Sequence, residues 1–108
     1  MGMLLITVGQ IRETGRAALG RYAEGVMPLI RAAGGEVVGR GSPQETVVGD
    51  GSGRPDLVAL IRFPDAETIR QFLGSAAYQA QVRHRDEAFS ELRSYIAADL
   101  LDESAGRP

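Results

Sequence analysis

Apolar residues recur with two periods along this chain, and the points where the period changes divide it into elements. Met3 to Val8 is apolar on both faces, through Leu4, Leu5, Ile6 and Val8, which predicts a strand that needs cover on both sides. From Arg16 to Ala33 the repeat becomes three and four, so that Leu19, Tyr22, Ala23, Val26, Leu29, Ile30 and Ala33 share one face of an amphipathic helix. Pro28 inside it should kink the helix or start a fresh turn, and Gly34-Gly35 should stop it. Glu36 to Gly41 and Gln44 to Gly49, on either side of Ser42-Pro43, predict short strands or a β-excursion, and Asp50 to Pro55 is a loop by composition. Asp56 to Phe63 is the strongest strand, with Leu57, Ala59, Ile61 and Phe63 on one face and Val58, Leu60 and Arg62 on the other. Its two apolar faces mark it as central.

Pro64 ends that strand, and Asp65 is a natural N-cap for a helix carrying Ile69, Phe72 and Leu73 inward. Gly74 closes this helix and Ser75 caps the next, which the pattern extends from Ser75 to Leu92. On a helical wheel Tyr78, Val82, Phe89 and Leu92 fall within roughly 40° of one another, and Arg85 lands in the middle of their stripe. An arginine thus occupies a place that asks for leucine. Leu92 to Ala98 is the last strand, and Asp102 to Pro108 reads as a flexible polar tail outside a single domain of residues 1–101.

The resulting order, β-α-β-(β)-β-α-α-β, predicts an α+β fold of the ferredoxin-like, split βαβ type, with two helices packed on one face of an antiparallel sheet. Helices cover only one side of such a sheet. The apolar residues on its other face call for a second copy, sheet against sheet about a two-fold axis, so a homodimer is expected.

Composition narrows the function classes. A chain of 108 residues forms one core. It has no cysteine, which excludes a disulfide frame, thiolate metal ligands and a cysteine nucleophile, and with one histidine a zinc or haem site has little to use. No cofactor is expected. The twelve basic residues are all arginine, are scattered from Arg12 to Arg107, and accompany a net charge of -2. A nucleic-acid binder concentrates positive charge on one face, so nucleic acid is not an expected partner. The apolar start MGMLLITVG is too short to span a bilayer and lacks a basic leader or cleavage site, which points to a soluble, cytoplasmic protein with no membrane partner.

Seven residues carry candidate chemistry. A guanidinium keeps its charge and is costly to bury alone, so Arg85 must meet a carboxylate, carbonyls or a ligand anion. The plainer reading is a structural pair with an acidic residue such as Glu24 or Asp65, or a side chain that snorkels to water. His84, the one side chain with an ordinary pKa near neutrality, is the candidate general base, although its wheel position some 100° from Arg85 also suits a solvent-facing flank. Tyr22, Phe63, Phe72 and Tyr78 are candidate substrate-binding rings, or simply core. Arg62, beside Val58 and Leu60, is either a second cation for the same ligand or a solvated strand end. Gly49-Asp50-Gly51-Ser52-Gly53-Arg54 superficially suggests a phosphate loop, but it lacks the Gly-Lys-Ser/Thr ending and leads into a strand.

The stretches GRYAEGVMPLIRAAGGEVVGRG and LVALIRFPDAETIRQFLGSAAYQAQVRHRDEA resemble the domain-of-unknown-function 1330 family, from about Leu19 to Ala88. Tyr22, Pro28, Gly34-Gly35, Phe63-Pro64, Phe72, Ser75, Tyr78-Gln79 and Arg85 carry the resemblance at the family's spacing. The chain departs from the family where it has Val48 and Arg62 in place of glutamates, Ala76 in place of a proline, and Ile96-Ala97-Ala98 in place of a Val-Glu-Gly ending. The resemblance implies a dimeric α+β barrel and does not specify an activity. The expectation that joins these residues is a small-molecule-binding homodimer. In its enzymatic form, Arg85 and Arg62 would stabilise an oxyanion, Tyr78 would orient an activated carbonyl compound and His84 would move a proton, in a cyclisation or isomerisation. The alternatives are a non-catalytic ligand-binding or accessory protein and a purely structural dimer module.

Overall fold

Among the described residues, four strands and four helices follow in the order β1 (Met3–Ile11), α1 (Arg16–Ala32), β2 (Glu36–Gly41), β3 (Leu57–Phe63), α2 (Ala66–Gly74), α3 (Ala76–Gln79), α4 (Val82–Ala88) and β4 (Phe89–Ala98). A computed structural model describes residues 2–102. The expected tail falls mostly on 103–108, outside the described residues. Asp102, placed at the start of that tail, accepts a hydrogen bond from the Gly2 backbone N–H at 2.7 Å.

The strands form one sheet in the order β2-β3-β1-β4, and each neighbouring pair is antiparallel. This is the ferredoxin-like arrangement expected from the element order. One sheet face presents Leu5, Ile61 and Phe63 to Val26 and Ile30 of α1, Ile69 and Phe72 of α2, and Tyr78 of α3, which together form the main core. The other face carries Leu4, Ile6, Val8, Val58 and Leu60, all only half-buried, and Tyr95, half of whose surface is exposed. Among the described residues no helix covers that face.

Local chemistry explains where the helices begin and end. Asp65 caps α2 by accepting from the Thr68 backbone N–H at 2.7 Å. Gly34 ends α1 at φ +85°, its N–H donating to the Arg31 carbonyl while the Gly35 N–H donates to that of Ile30. That paired closure needs a left-handed residue at Gly34, which glycine adopts without strain. The helix runs as one element through Pro28 rather than restarting there. Pro28 and Glu24 are both exposed, so water can satisfy the Glu24 carbonyl that loses its donor.

Two expected elements differ. The helix predicted from Ser75 to Leu92 is broken into α3 and α4, and the chain becomes extended at Phe89. From there it pairs with the whole of β1, from Ile11↔Phe89 to Met3↔Ala98, and a ten-residue strand offers more than one further helical turn. A register shift beside Ser90 keeps both Phe89 and Leu92 on the helix side of the sheet. Gly9 makes room for them, since a Cβ there would lie 2.8 Å from the Phe89 ring. The second predicted stretch, Gln44 to Gly49, is loop: Pro43 just before it has no N–H for a ladder, and the Gln44 carbonyl accepts from Arg54 Nη1 instead of a strand. Val47 and Val48 are left exposed.

Candidate functional site

The strand register places Arg40 opposite Ala59, Ala59 opposite Thr7, and Thr7 opposite Ser94. These four residues form a transverse row across the sheet. The adjoining row, Val37, Ile61, Leu5 and Ile96, is large and apolar. Short side chains at Ala59, Thr7 and Ser94 therefore leave a trough under α1, where bulkier residues would fill the space. The trough is a cavity of about 90 Å³, floored by this row and roofed by Leu19, Tyr22, Ala23, Val26 and Met27. Its floor carries Arg40 at one end of the row and, at the other, the Thr7 and Ser94 hydroxyls, 3.0 Å apart.

Phe72, Tyr78 and Phe89 contribute further walls. Five rings stack edge to face or tilted in the sequence Phe63, Phe72, Tyr78, Tyr22 and Phe89, with centroid separations between 5.2 and 6.5 Å. Tyr78 is set by the first turn of α3, where Ser75 Oγ accepts from the Tyr78 backbone N–H at 3.2 Å and donates to the Phe72 carbonyl at 2.7 Å. Its hydroxyl is 2.9 Å from that of Tyr22 and accepts from Arg85 Nη1 at 3.2 Å. A guanidinium, a buried phenol and a second phenol thus form one hydrogen-bonded line.

Burial, with the neighbouring Tyr78 adding to it, pushes the Tyr22 hydroxyl far above the ordinary phenol range and keeps it protonated. Partial burial opposes the charge on Arg85, but its contacts with Tyr78 and Asp86 outweigh this and hold the guanidinium above its ordinary range. Its ion-pair partner is Asp86, from Nε to Oδ1 at 3.3 Å, in place of the expected Glu24 or Asp65.

The sequence-predicted residues divide into two sets. Tyr22, Phe72 and Tyr78 line the cavity, and Arg85 stands behind Tyr78 with 30% of its side chain exposed. Phe63 is 1% exposed and packs behind Phe72, outside the lining. His84 also lies outside it, with Nδ1 accepting from Arg21 Nε at 3.5 Å while Arg21 pairs with Glu87. Arg62 is on the opposite sheet face from the cavity. It pairs with Asp99, both Nε and Nη2 lying 3.1 Å from Oδ2. The two arginines therefore do not meet in one cavity.

Sequence reasoning missed Thr7, Ser94 and Arg40. The first two carried a usable signal, as small polar residues within strands that are otherwise bulky. Arg40 did not, because a register shift between Val37 and Gly39 adds one residue to β2 and puts Val37 and Arg40 on the same face. Strict alternation would separate them.

A family model described as Domain of unknown function (DUF1330) matches residues 6–99. The chain belongs to the DUF1330 family. No curated protein matches it. Among solved structures, a protein of unknown function from Rhodopseudomonas palustris is similar at 20% identity and TM-score 0.82, over 92% of this chain and 82% of that one. A dimeric ferredoxin-like protein of unknown function from Bacteroides fragilis matches at 8% identity and TM-score 0.62, over 88% and 93%. Another, from Thermobifida fusca, matches at 11% and 0.59, over 89% of each chain. At these identities the likeness establishes the fold. Among the described residues no helix is long and apolar enough to cross a membrane, and no three His, Cys, Asp or Glu side chains are grouped to hold a metal ion.

Proposed function

We propose that this chain is a homodimeric small-molecule-binding protein whose ligand occupies the cavity between α1 and the sheet. The observation that carries the reading is the Tyr22–Tyr78–Arg85 line at the wall of a mostly apolar cavity. An apolar chamber with a few convergent polar groups is the usual form of a ligand site. Two phenols, one of them hydrogen-bonded to a guanidinium, suit a ligand oxygen such as a carbonyl.

Binding is favoured over cyclisation or isomerisation. Those reactions need a group that takes up a proton near neutral pH. The described cavity lining contains no histidine and no carboxylate, and His84 is turned to Arg21. Dimerisation is supported by the uncovered apolar sheet face and by the dimeric state named for the Bacteroides and Thermobifida proteins.

The test is a thermal-shift screen of small carbonyl compounds and acids on the wild type and on Ala23→Phe, which fills the cavity from its roof. Compounds that stabilise the wild type should leave the filled variant unchanged. Equal shifts in both proteins would place binding elsewhere and end the reading.

A further inference from the structure

The cavity has one cationic lining residue, and it belongs neither to the tyrosine line nor to any ion pair among the described residues. Arg40 lies on β2, the edge strand of the sheet, opposite Ala59. Its guanidinium has no hydrogen-bond partner among the described residues, although every other polar feature of the floor is engaged. Thr7 and Ser94 bond each other, and the two tyrosine hydroxyls are paired.

We infer that the cavity selects a small apolar carboxylic acid, with Arg40 as the residue that binds the carboxylate. This rests on the ligand-binding reading above and adds to it the class of ligand. A planar guanidinium pairs with a carboxylate through two parallel hydrogen bonds, which an amide or ester cannot reproduce. Beside it the lining is aromatic and aliphatic, so the rest of the molecule is uncharged. Strands are about 4.8 Å apart, which puts the Thr7–Ser94 hydroxyls some two to three strand spacings from Arg40.

The position of Arg40 at the rim also accounts for its exposure. An unpaired cation deep in the cavity would be costly to desolvate, whereas at the mouth it stays hydrated until an anion arrives.

The experiment is calorimetric titration of the full chain with benzoate, phenylpyruvate and hexanoate, each beside its uncharged primary amide, and then of Arg40→Gln and Ala23→Phe. At least one acid should bind the wild type ten or more times tighter than its amide. Arg40→Gln should remove that preference, bringing acid and amide to equal affinity, and Ala23→Phe should weaken both. Equal affinity for acid and amide in the wild type, or an acid preference that survives in Arg40→Gln, overturns this inference and leaves the cavity reading standing. No binding by any of the six compounds overturns it as well. Ala23→Phe separates that result from failure of the cavity reading, which falls only if a compound from the wider screen binds both proteins alike. Arg40→Gln changes an exposed edge-strand side chain, and an unchanged circular dichroism melt confirms that it is folded.

Discussion

Arg85 is not part of the cavity lining but touches Tyr78, which is, its Nη1 donating to the phenol oxygen at 3.2 Å. A helical wheel places this arginine in an apolar stripe, and the folded chain uses it to back a phenol. Its influence on a ligand therefore passes through Tyr78. Arg85→Leu is expected to lower stability by only about 1–2 kcal/mol, since Tyr78 keeps Tyr22 as a partner and Arg85 is partly hydrated. Urea unfolding checks this. The variant should also show a smaller thermal shift with any compound that stabilises the wild type, and an undiminished shift would mean that Arg85 serves structure alone.

The two phenols are unequal. Tyr78→Phe strips a partner from both Tyr22 and Arg85, whereas Tyr22→Phe leaves Tyr78 with its guanidinium. Leaving a buried polar group unsatisfied costs about 1–3 kcal/mol, so Tyr78→Phe should be the more destabilising variant and Tyr22→Phe should cost about 1 kcal/mol or less. Chemical denaturation of the two, side by side, ranks them. The reverse order would mean that the line is not the unit described here.

Stability should fall in alkali. The folded-state pKa of Tyr22 is raised, chiefly by burial, above an unfolded value of about 10. Above that pH the unfolded chain loses the proton while the folded chain keeps it. The stabilisation is complete below about pH 10 and declines as the pH rises towards the folded pKa, by up to about 1.4 kcal/mol per pH unit for this one group. Tyr22→Phe should flatten that part of the profile. A wild type and variant with the same slope above pH 10 would show that Tyr22 ionises freely in the fold.

Ile6 and Leu60 face each other in the register on the uncovered side of the sheet. A lysine at position 6 would set a charge in the middle of that face. Ile6→Lys should turn the homodimer into a folded monomer, seen by sedimentation velocity with retained circular dichroism. A wild type that sediments as a monomer at micromolar concentration would remove the dimer from the proposed function.

Much of the fold could be read from hydrophobic period and capping residues. The amphipathic face of α1, the Gly34-Gly35 stop, the Asp65 and Ser75 caps and the two-faced β3 all act through neighbours in sequence, and each appears where its pattern puts it. The end of α4 depended instead on β1, a partner some eighty positions away, and the wheel could not register that competition at Phe89. The cavity was legible in its rings but not in its floor. Tyr22, Phe72 and Tyr78 stand out by type, while Thr7, Ala59 and Ser94 matter only because three strands bring them into one row. His84 and Arg62 drew attention by residue type as well, and tertiary contacts with Arg21 and Asp99 engage them elsewhere.

The extra residue between Val37 and Gly39 separates two properties that are usually tied together. Core strands of this sheet cannot shift by one position without turning apolar side chains to water. The outer half of β2 has a single neighbouring strand, and the residues beyond its bulge contribute none of the buried core. The charge at the cavity mouth can therefore drift through small changes in the length or register of one edge strand while the fold stays as it is. Chains with this same core could thus diverge in what they admit, acidic or neutral, by editing a few residues that the core never touches.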